Sequence, residues 1–119
     1  MSLIDTSQLL VVERFLDLVS LRQSLLVSNI ANVDTPGYRT KDIDFRTEFQ
    51  RAMAGEAGAV SIPIVREVSG LLSRPDGNNV SVDREGLLLA EVQLKYQAAV
   101  ESMKAEFRYL RSAIREGGV

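Results

Sequence analysis

The chain contains no cysteine, no histidine and no tryptophan. Without cysteine there is no disulfide framework and no thiol nucleophile, and the redox compartment leaves no mark on the sequence. Without histidine the commonest general base at neutral pH is gone, together with the Ser-His triad and most zinc sites. An excess of one charge is also lacking. Lys and Arg number 14 against 16 Asp and Glu, a net −2, which gives no field to gather nucleic acid or an anionic membrane. Long apolar runs are missing as well. Leu9-Leu10-Val11-Val12 and Leu87-Leu88-Leu89-Ala90 fall far short of the ~20 residues a membrane-spanning helix needs. The N-terminal region carries Asp5, Glu13 and Arg14 where a secretory leader has a basic start and an unbroken apolar core. Any export is therefore expected to proceed without a cleaved signal of that type.

What remains is an ordinary folding chain. Its 119 residues suit one domain, and 45% hydrophobic with 25% charged residues argues against wholesale disorder. The first segment reads as a long helix. Asp5 is a good N-cap, Gln8 stands at the capping-box position, and Ile4 with Leu9 has the spacing of a hydrophobic staple. Leu9, Val12, Leu16, Val19, Leu26, Ile30 and Val33 then follow a 3,4 alternation, with Gln23 its one polar member. More than half of residues 9–33 are apolar, wider than the stripe a helix needs against one neighbour. The helix is expected to stop near Asn32, because Thr35-Pro36-Gly37-Tyr38 has the signature of a type II turn with Gly37 at positive φ. Asn29 and Asn32, just before it, are placed to bond freed carbonyls and turn backbone.

A short helix over about 44–54 follows from Phe45, Phe49, Ala52 and Met53, ended by Gly55, with a loop to Gly58. Val60, Ile62 and Ile64 alternate with polar or proline positions, and Pro63 confines that segment to an edge strand or an irregular extended stretch. Arg74-Pro75-Asp76-Gly77-Asn78-Asn79 is a turn cluster. The second long helix starts at Asp83, with Ser81 the alternative cap, and Val82 with Leu87 offers a staple. Its apolar ridge is Leu88, Val92, Tyr96, Ala99, Met103, Phe107, Leu110 and Ile114. Arg108, Arg111 and Arg115 suit the C-terminal dipole end, and Gly117-Gly118 closes it.

The fold expected is mainly α. Two long terminal helices of roughly 40–50 Å form an antiparallel, coiled-coil-like hairpin around an irregular middle with a short helix and an extended edge segment. Residues 1–33 and 80–119 form one helical assembly domain, and 34–79 form the connector. A lone hairpin buries one stripe on each helix, so the surplus apolar surface calls for other chains. The ridge residues Leu9, Val12, Leu16, Val19, Leu26 and Ile30 on the first helix, and Leu88 to Ile114 on the second, are the expected assembly interface.

Candidate chemistry is thin. Asp42 and Asp44 are paired carboxylates, better read as caps and solubilising charge than as an acid–base or metal pair. Asp76-Gly77-Asn78 lacks the spacing and terminal Glu of a calcium loop. Asn79-Val80-Ser81 is a chance-level glycosylation sequon. The three C-terminal arginines suit the dipole and salt bridges between subunits better than phosphate. Lys95 and Tyr96 are better explained by an i,i+4 pair with Glu91 and by packing than by catalysis. No catalytic residue, cofactor or metal is expected.

Ser28-Asn29-Ile30-Ala31-Asn32-Val33-Asp34-Thr35-Pro36-Gly37-Tyr38 differs in kind. It resembles the N-terminal signature shared by bacterial flagellar axial proteins of the rod and hook. The signature turn residues are Asn29, Ala31, Asn32, Thr35, Pro36, Gly37 and Tyr38. Lys41-Asp42-Ile43-Asp44-Phe45, Asp76-Gly77-Asn78-Asn79-Val80, Lys95-Tyr96-Gln97-Ala98-Ala99, Phe107 and Ser112-Ala113-Ile114-Arg115 narrow the likeness to the FlgB-like proximal rod proteins. Residues 52–72 carry no matching motif. The resemblance implies a non-catalytic structural subunit of the flagellar basal body, part of the shaft that carries motor torque across the periplasm. It implies export by the flagellar type III apparatus without a cleaved signal. The implied partners are other rod subunits, copies of the same chain, basal-body ring and adaptor proteins and the export apparatus at the rod base, with no nucleic acid and no membrane insertion. Rival readings are a self-contained cytosolic helical adaptor or chaperone-like dimer and, more remotely, a small carboxylate-dependent hydrolase.

Overall fold

The computed structural model describes residues 6–55 and 62–117. Five elements follow in order: α1 (Thr6–Ala31), β1 (Lys41–Asp42), α2 (Phe45–Ala54), β2 (Arg66–Glu67) and α3 (Val82–Glu116). The expected mainly helical architecture, with the longest helices at opposite ends of the chain, is what the structure has. Helices α1 and α3 pack antiparallel: Asn29 near the end of α1 meets Glu85 near the start of α3, and Leu9, Val12 and Leu16 share a groove with Met103. The result is a slender body of 69 × 27 × 18 Å.

The core is small and lies along this hairpin. Val19, Leu26 and Val92 are buried, with Phe15, Phe45, Leu88 and Leu89 packed around them. Helix α2 joins through aromatic rings. Phe15 meets Phe45 edge-on at 5.2 Å and Phe49 edge-on at 5.7 Å, while Phe45 and Phe49 stack at 6.2 Å. Lys95 of α3 lies 4.2 Å above the Phe45 ring, so a cation–π contact ties α2 to both long helices. Lys95 also pairs with Glu91 at 3.5 Å, as its i,i+4 spacing implies.

Three local expectations are corrected. Ser81, the alternative, is the N-cap of α3: its hydroxyl accepts from the Arg84 N–H at 3.3 Å, and Asp83 lies inside the first turn. The Val82–Leu87 staple consequently does not form, and these residues are 50% and 72% exposed. The extended pairing lies at Arg66–Glu67, antiparallel to β1 with Lys41 opposite Glu67 and Asp42 opposite Arg66, rather than across Ile62 and Ile64. Pro63 has no N–H to give a ladder, whereas the backbone N–H of Val68 reaches Thr40 O at 2.9 Å. The Asp5 cap, the Ile4–Leu9 staple, the loop at Gly58 and Val60 fall on or depend on residues outside those described. Asp44 caps α2, accepting from Thr47 N–H at 3.2 Å, and Gly55 ends that helix, both as expected.

The inward face of α3 differs from the ridge drawn on the sequence. Its most covered positions include Glu85, Val92 and Ala99, continued by the half-buried Glu106 and Ala113. This is a seven-residue repeat, the step that keeps one seam against a partner helix. The longer mean step of the apolar ridge drifts off that seam, so Tyr96, Phe107 and Ile114 are 47%, 55% and 44% exposed.

The packing makes a direct stability test possible. Leu26→Ala empties a fully buried position and is expected to cost about 2–5 kcal/mol. Leu87→Ala, on an exposed position, is expected to change stability by less than about 0.5 kcal/mol. Urea unfolding followed by circular dichroism measures both; equal costs would mean that the hairpin core lies elsewhere.

Candidate functional site: a polar knot at the elbow

Helix α1 unwinds through Asn32 N–H to Ser28 O at 3.1 Å and Val33 N–H to Ile30 O at 3.1 Å. Thr35-Pro36-Gly37-Tyr38 then closes as a turn, with Tyr38 N–H on Thr35 O at 3.2 Å and Gly37 at φ 75°. This is the type II geometry read from the sequence. A second turn closes at Arg74–Gly77, where Gly77 N–H reaches Arg74 O at 2.9 Å and Gly77, here the fourth residue of the turn rather than the third, lies at φ 88°. The two glycine turns pack backbone to backbone. Gly37 N–H donates to Asp76 O at 2.9 Å, and a Cβ on Gly77 would stand 3.5 Å from Gly37 Cα.

Side-chain amides bind these turns to the helices. Asn78 donates to Asn32 O and Thr35 O, both at 2.9 Å, and accepts from Val80 N–H at 2.8 Å. Asn79 Oδ1 accepts from Thr40 N–H at 2.6 Å. The Arg74 guanidinium caps the Val33 carbonyl at the end of α1. Asn32 turns back on Ser28 O at 2.8 Å and accepts from the Thr35 hydroxyl at 3.0 Å.

Asn29 is the hub. Its side chain is fully buried. Nδ2 donates to Lys41 O at 2.8 Å and to Glu85 Oε2 at 3.0 Å, while Oδ1 accepts from the Tyr38 hydroxyl at 3.0 Å and Lys41 N–H at 3.1 Å. Both donors and both lone pairs of the amide are used. Beside it lies an ionic cluster. Arg22 grips Asp42 with two bonds of 3.1 and 3.2 Å, and Arg84 reaches the same carboxylate at 3.4 Å. Arg84 also bonds Glu85 at 2.6 Å. Two guanidinium groups thus face two buried carboxylates.

Asp42 is therefore not a solubilising cap, as its sequence context suggests, but a buried ion-pair anchor joining α1, β1 and α3. Asp44 does act as a cap. The Thr47 backbone N–H, then the Thr47 side chain, hold its carboxyl below the usual value, with the charges of Arg66 and Arg22 acting in the same direction. Asn79 is 1% exposed and bonded inward, which rules the sequon out as a glycan acceptor in the folded chain.

The structure brings together Asn29, Asn32, Thr35, Gly37 and Tyr38 of the signature, with Pro36 at the exposed rim and Ala31 as the last residue of α1. The ridge residues divide. Val19, Leu26, Val92 and Ala99 are buried by the hairpin itself, so an assembly role for these four is replaced by an internal one. Leu9, Val12, Leu16, Ile30, Leu88, Met103 and Leu110 are half-buried, and Tyr96, Phe107 and Ile114 are exposed. Sequence reasoning missed Arg22, Thr40, Arg84 and Glu85 as partners in the knot. Asn29 and Asn32 stood out as partners for the turn backbone, whereas Asn78 and Asn79 stood out only as a loop.

No family model matches the chain. Curated relatives do. The chain is 33% identical to the flagellar basal body rod protein FlgB of Salmonella typhimurium, over 86% of this chain and 88% of the relative. It is 32% identical to the protein of that name in Bacillus subtilis, over 88% and 91%, and 30% identical to that of Escherichia coli, over 86% and 88%.

The knot generates two tests. Asn29→Asp keeps the shape but removes the amide's two donors and sets a carboxylate beside Glu85. It is expected to cost about 2 kcal/mol or more in urea unfolding, since buried groups lose their partners; a cost below about 0.5 kcal/mol would contradict the hub role. The Asp44 cap contributes in full above its unfolded value of 3.8 and is lost as pH falls through the lower folded value. The protection of the Thr47 amide, its observed exchange rate relative to that of an unstructured amide at the same pH, is therefore expected to be lost only below about pH 3.8, and in Asp44→Ala to be absent at every pH.

Proposed function

The chain belongs to the FlgB family of flagellar basal body rod proteins, and from that premise we propose that it is a non-catalytic structural subunit of the rod that helps carry motor torque across the periplasm. The observation that carries this reading is the elbow knot. It fixes the connector to both long helices through buried hydrogen bonds and ion pairs, which is what a part loaded in torsion requires of its joint. Residues 1–33 and 80–119 act as the helical assembly unit and 34–79 as its braced connector.

The partners in this reading are other rod subunits and further copies of the chain, with ring, adaptor and export components meeting it at the rod base. Contacts with them fall on the ridge positions the hairpin leaves open, chiefly Tyr96, Phe107 and Ile114 on α3 and Leu9, Val12 and Leu16 on α1. Large apolar side chains held at the surface in this number are unusual for a protein that stays alone.

The test is complementation of a strain lacking the gene, scored by swimming and by immunoblot of purified basal bodies. The unaltered chain is expected in the basal body. Phe107→Asp is expected to leave the purified chain folded and abolish incorporation, because a carboxylate in a subunit contact is desolvated without a partner. Gly37→Ala, which forces a Cβ residue to positive φ at about 1 kcal/mol, is expected to be exported yet to impair motility. A chain absent from basal bodies and found as a compact cytosolic dimer would instead support the adaptor reading.

A further inference from the structure

We propose that the Asp76–Gly77 peptide is a site of isoaspartate formation that the elbow knot holds shut. The chain ages at this bond only while its elbow is open, and the product is a substrate for carboxyl methylation by an isoaspartyl methyltransferase. The site depends on the elbow alone, whatever the chain assembles into.

The sequence sets the chemistry. Asp76 is the only aspartate or asparagine in the chain that is followed by glycine. Glycine has no Cβ to hinder its nitrogen, so Gly77 N can attack the carboxyl carbon of Asp76. A bond forms from Gly77 N to Asp76 Cγ, the amide proton and the carboxyl hydroxyl leave as water, and a succinimide ring results. Water then opens the ring. Attack at Cγ restores aspartate. Attack at the former main-chain carbonyl carbon leaves the chain running through Cβ and Cγ, with a free carboxylate on Cα. The atoms of the chain are unchanged in number, and no oxidant or reductant takes part. Asp76 is exposed, and its Oδ1 accepts from the Asn78 N–H at 2.9 Å, an Asx turn that folds the carboxyl forward toward Gly77.

The fold stops the reaction there. The peptide unit between Asp76 and Gly77 is planar, and the knot holds both of its edges. Asp76 O accepts from Gly37 N–H at 2.9 Å, and Gly77 N–H donates to Arg74 O at 2.9 Å. Arg39 holds the next carbonyl, Gly77 O, at 3.0 Å. Ring closure strips the proton that Arg74 O accepts and turns the same plane, which carries the carbonyl that Gly37 bonds. It therefore parts the two glycine turns. The reactive state is the locally opened elbow, and the rate follows the population of that state. The isoaspartyl product has Cβ as an additional main-chain atom. The acceptor for Gly37 N–H and the donor to Arg74 O no longer share one planar unit, so a chain modified while open does not close its elbow as before.

The test is to incubate the full chain warm at neutral pH, folded in buffer and unfolded in guanidinium chloride. After digestion, isoaspartate is counted by methyl transfer from S-adenosylmethionine with a purified isoaspartyl methyltransferase, and located by electron-transfer fragmentation. The unfolded chain is expected to gain isoaspartate at position 76 at least tenfold faster than the folded chain. Asn78→Ala removes the amide that ties this turn to Asn32 O and Thr35 O. With its helices verified by circular dichroism, it is expected to react faster than the folded parent in buffer. Equal rates in folded and unfolded chain, or an Asn78→Ala rate no faster than the folded parent's, would show that the knot is no gate. Isoaspartate absent from position 76 in the unfolded chain would remove the site, and product at 76 that the methyltransferase leaves unlabelled would remove the substrate claim. The isomerised chain, separated by chromatography and returned to buffer, is expected to exchange its Thr40 and Lys41 amides at least tenfold faster than the unmodified chain. Equal exchange would show that the elbow closes over the product and would contradict the proposal.

Discussion

The buried amide of Asn29 joins the end of α1, the connector at Tyr38 and Lys41, and the start of α3 through Glu85. Each hydrogen bond contributes only about 1 kcal/mol net, yet leaving a buried partner unsatisfied costs about 1–3 kcal/mol. That asymmetry makes the site all-or-none. If Asn29 shifts, Lys41 loses both backbone partners at once, and β1 loses its anchor beside Asp42. The apolar core of Val19, Leu26 and Val92 drives the helices together but is too short and too uniform to fix how far one slides along the other. The hub sets that register from one end.

The ionic cluster beside the hub works in the same direction. Asp42 and Glu85 are buried carboxylates, and such groups are tolerated only when paired and bonded. Arg22 approaches Asp42 from α1 and Arg84 approaches it from α3, so both helices must be correctly placed for Asp42 to keep its two partners, while Glu85, paired with Arg84 on its own helix, takes its second partner, Asn29, from α1. Buried ion pairs are poor sources of net stability, because desolvation offsets their attraction, but breaking one by removing a partner is costly. Their value here is therefore in specifying one geometry at the joint. The two glycine turns extend the same constraint to the backbone: Gly37 and Gly77 adopt positive φ and lie against each other, leaving the elbow few ways to bend.

Much of the molecule was legible in the sequence. The alternation from Leu9 to Ile30, the Thr-Pro-Gly-Tyr turn, the Phe45/Phe49 face and the Asp-Gly-Asn-Asn turn each depend on residues close together in the chain, and each lies where local chemistry puts it. The start of α3 was misjudged because Ser81 and Asp83 are both good caps and only the packing of Val80 inward decides between them. The inward seam of α3 was misjudged because a purely apolar count skipped Glu85 and Glu106, polar residues on the seven-residue seam, and admitted Phe107 and Ile114. The ionic cluster left no local signal at all. Arg22, Asp42 and Arg84 stand about twenty and about forty residues apart, and a charged residue that will be buried looks like any other until the fold supplies its partner.

The claim that the elbow knot is the rigid centre of the subunit is most directly tested by native-state hydrogen exchange. The amides of Thr40 and Lys41 lie outside the helices, in a connector that would ordinarily exchange early. They are bonded instead to the buried side chains of Asn79 and Asn29. If the knot is the anchor, both exchange only when the whole chain unfolds, as slowly as the amides around Leu26 in the hairpin core. If they exchange as fast as the exposed last turns of α3, the elbow opens on its own and the account is contradicted.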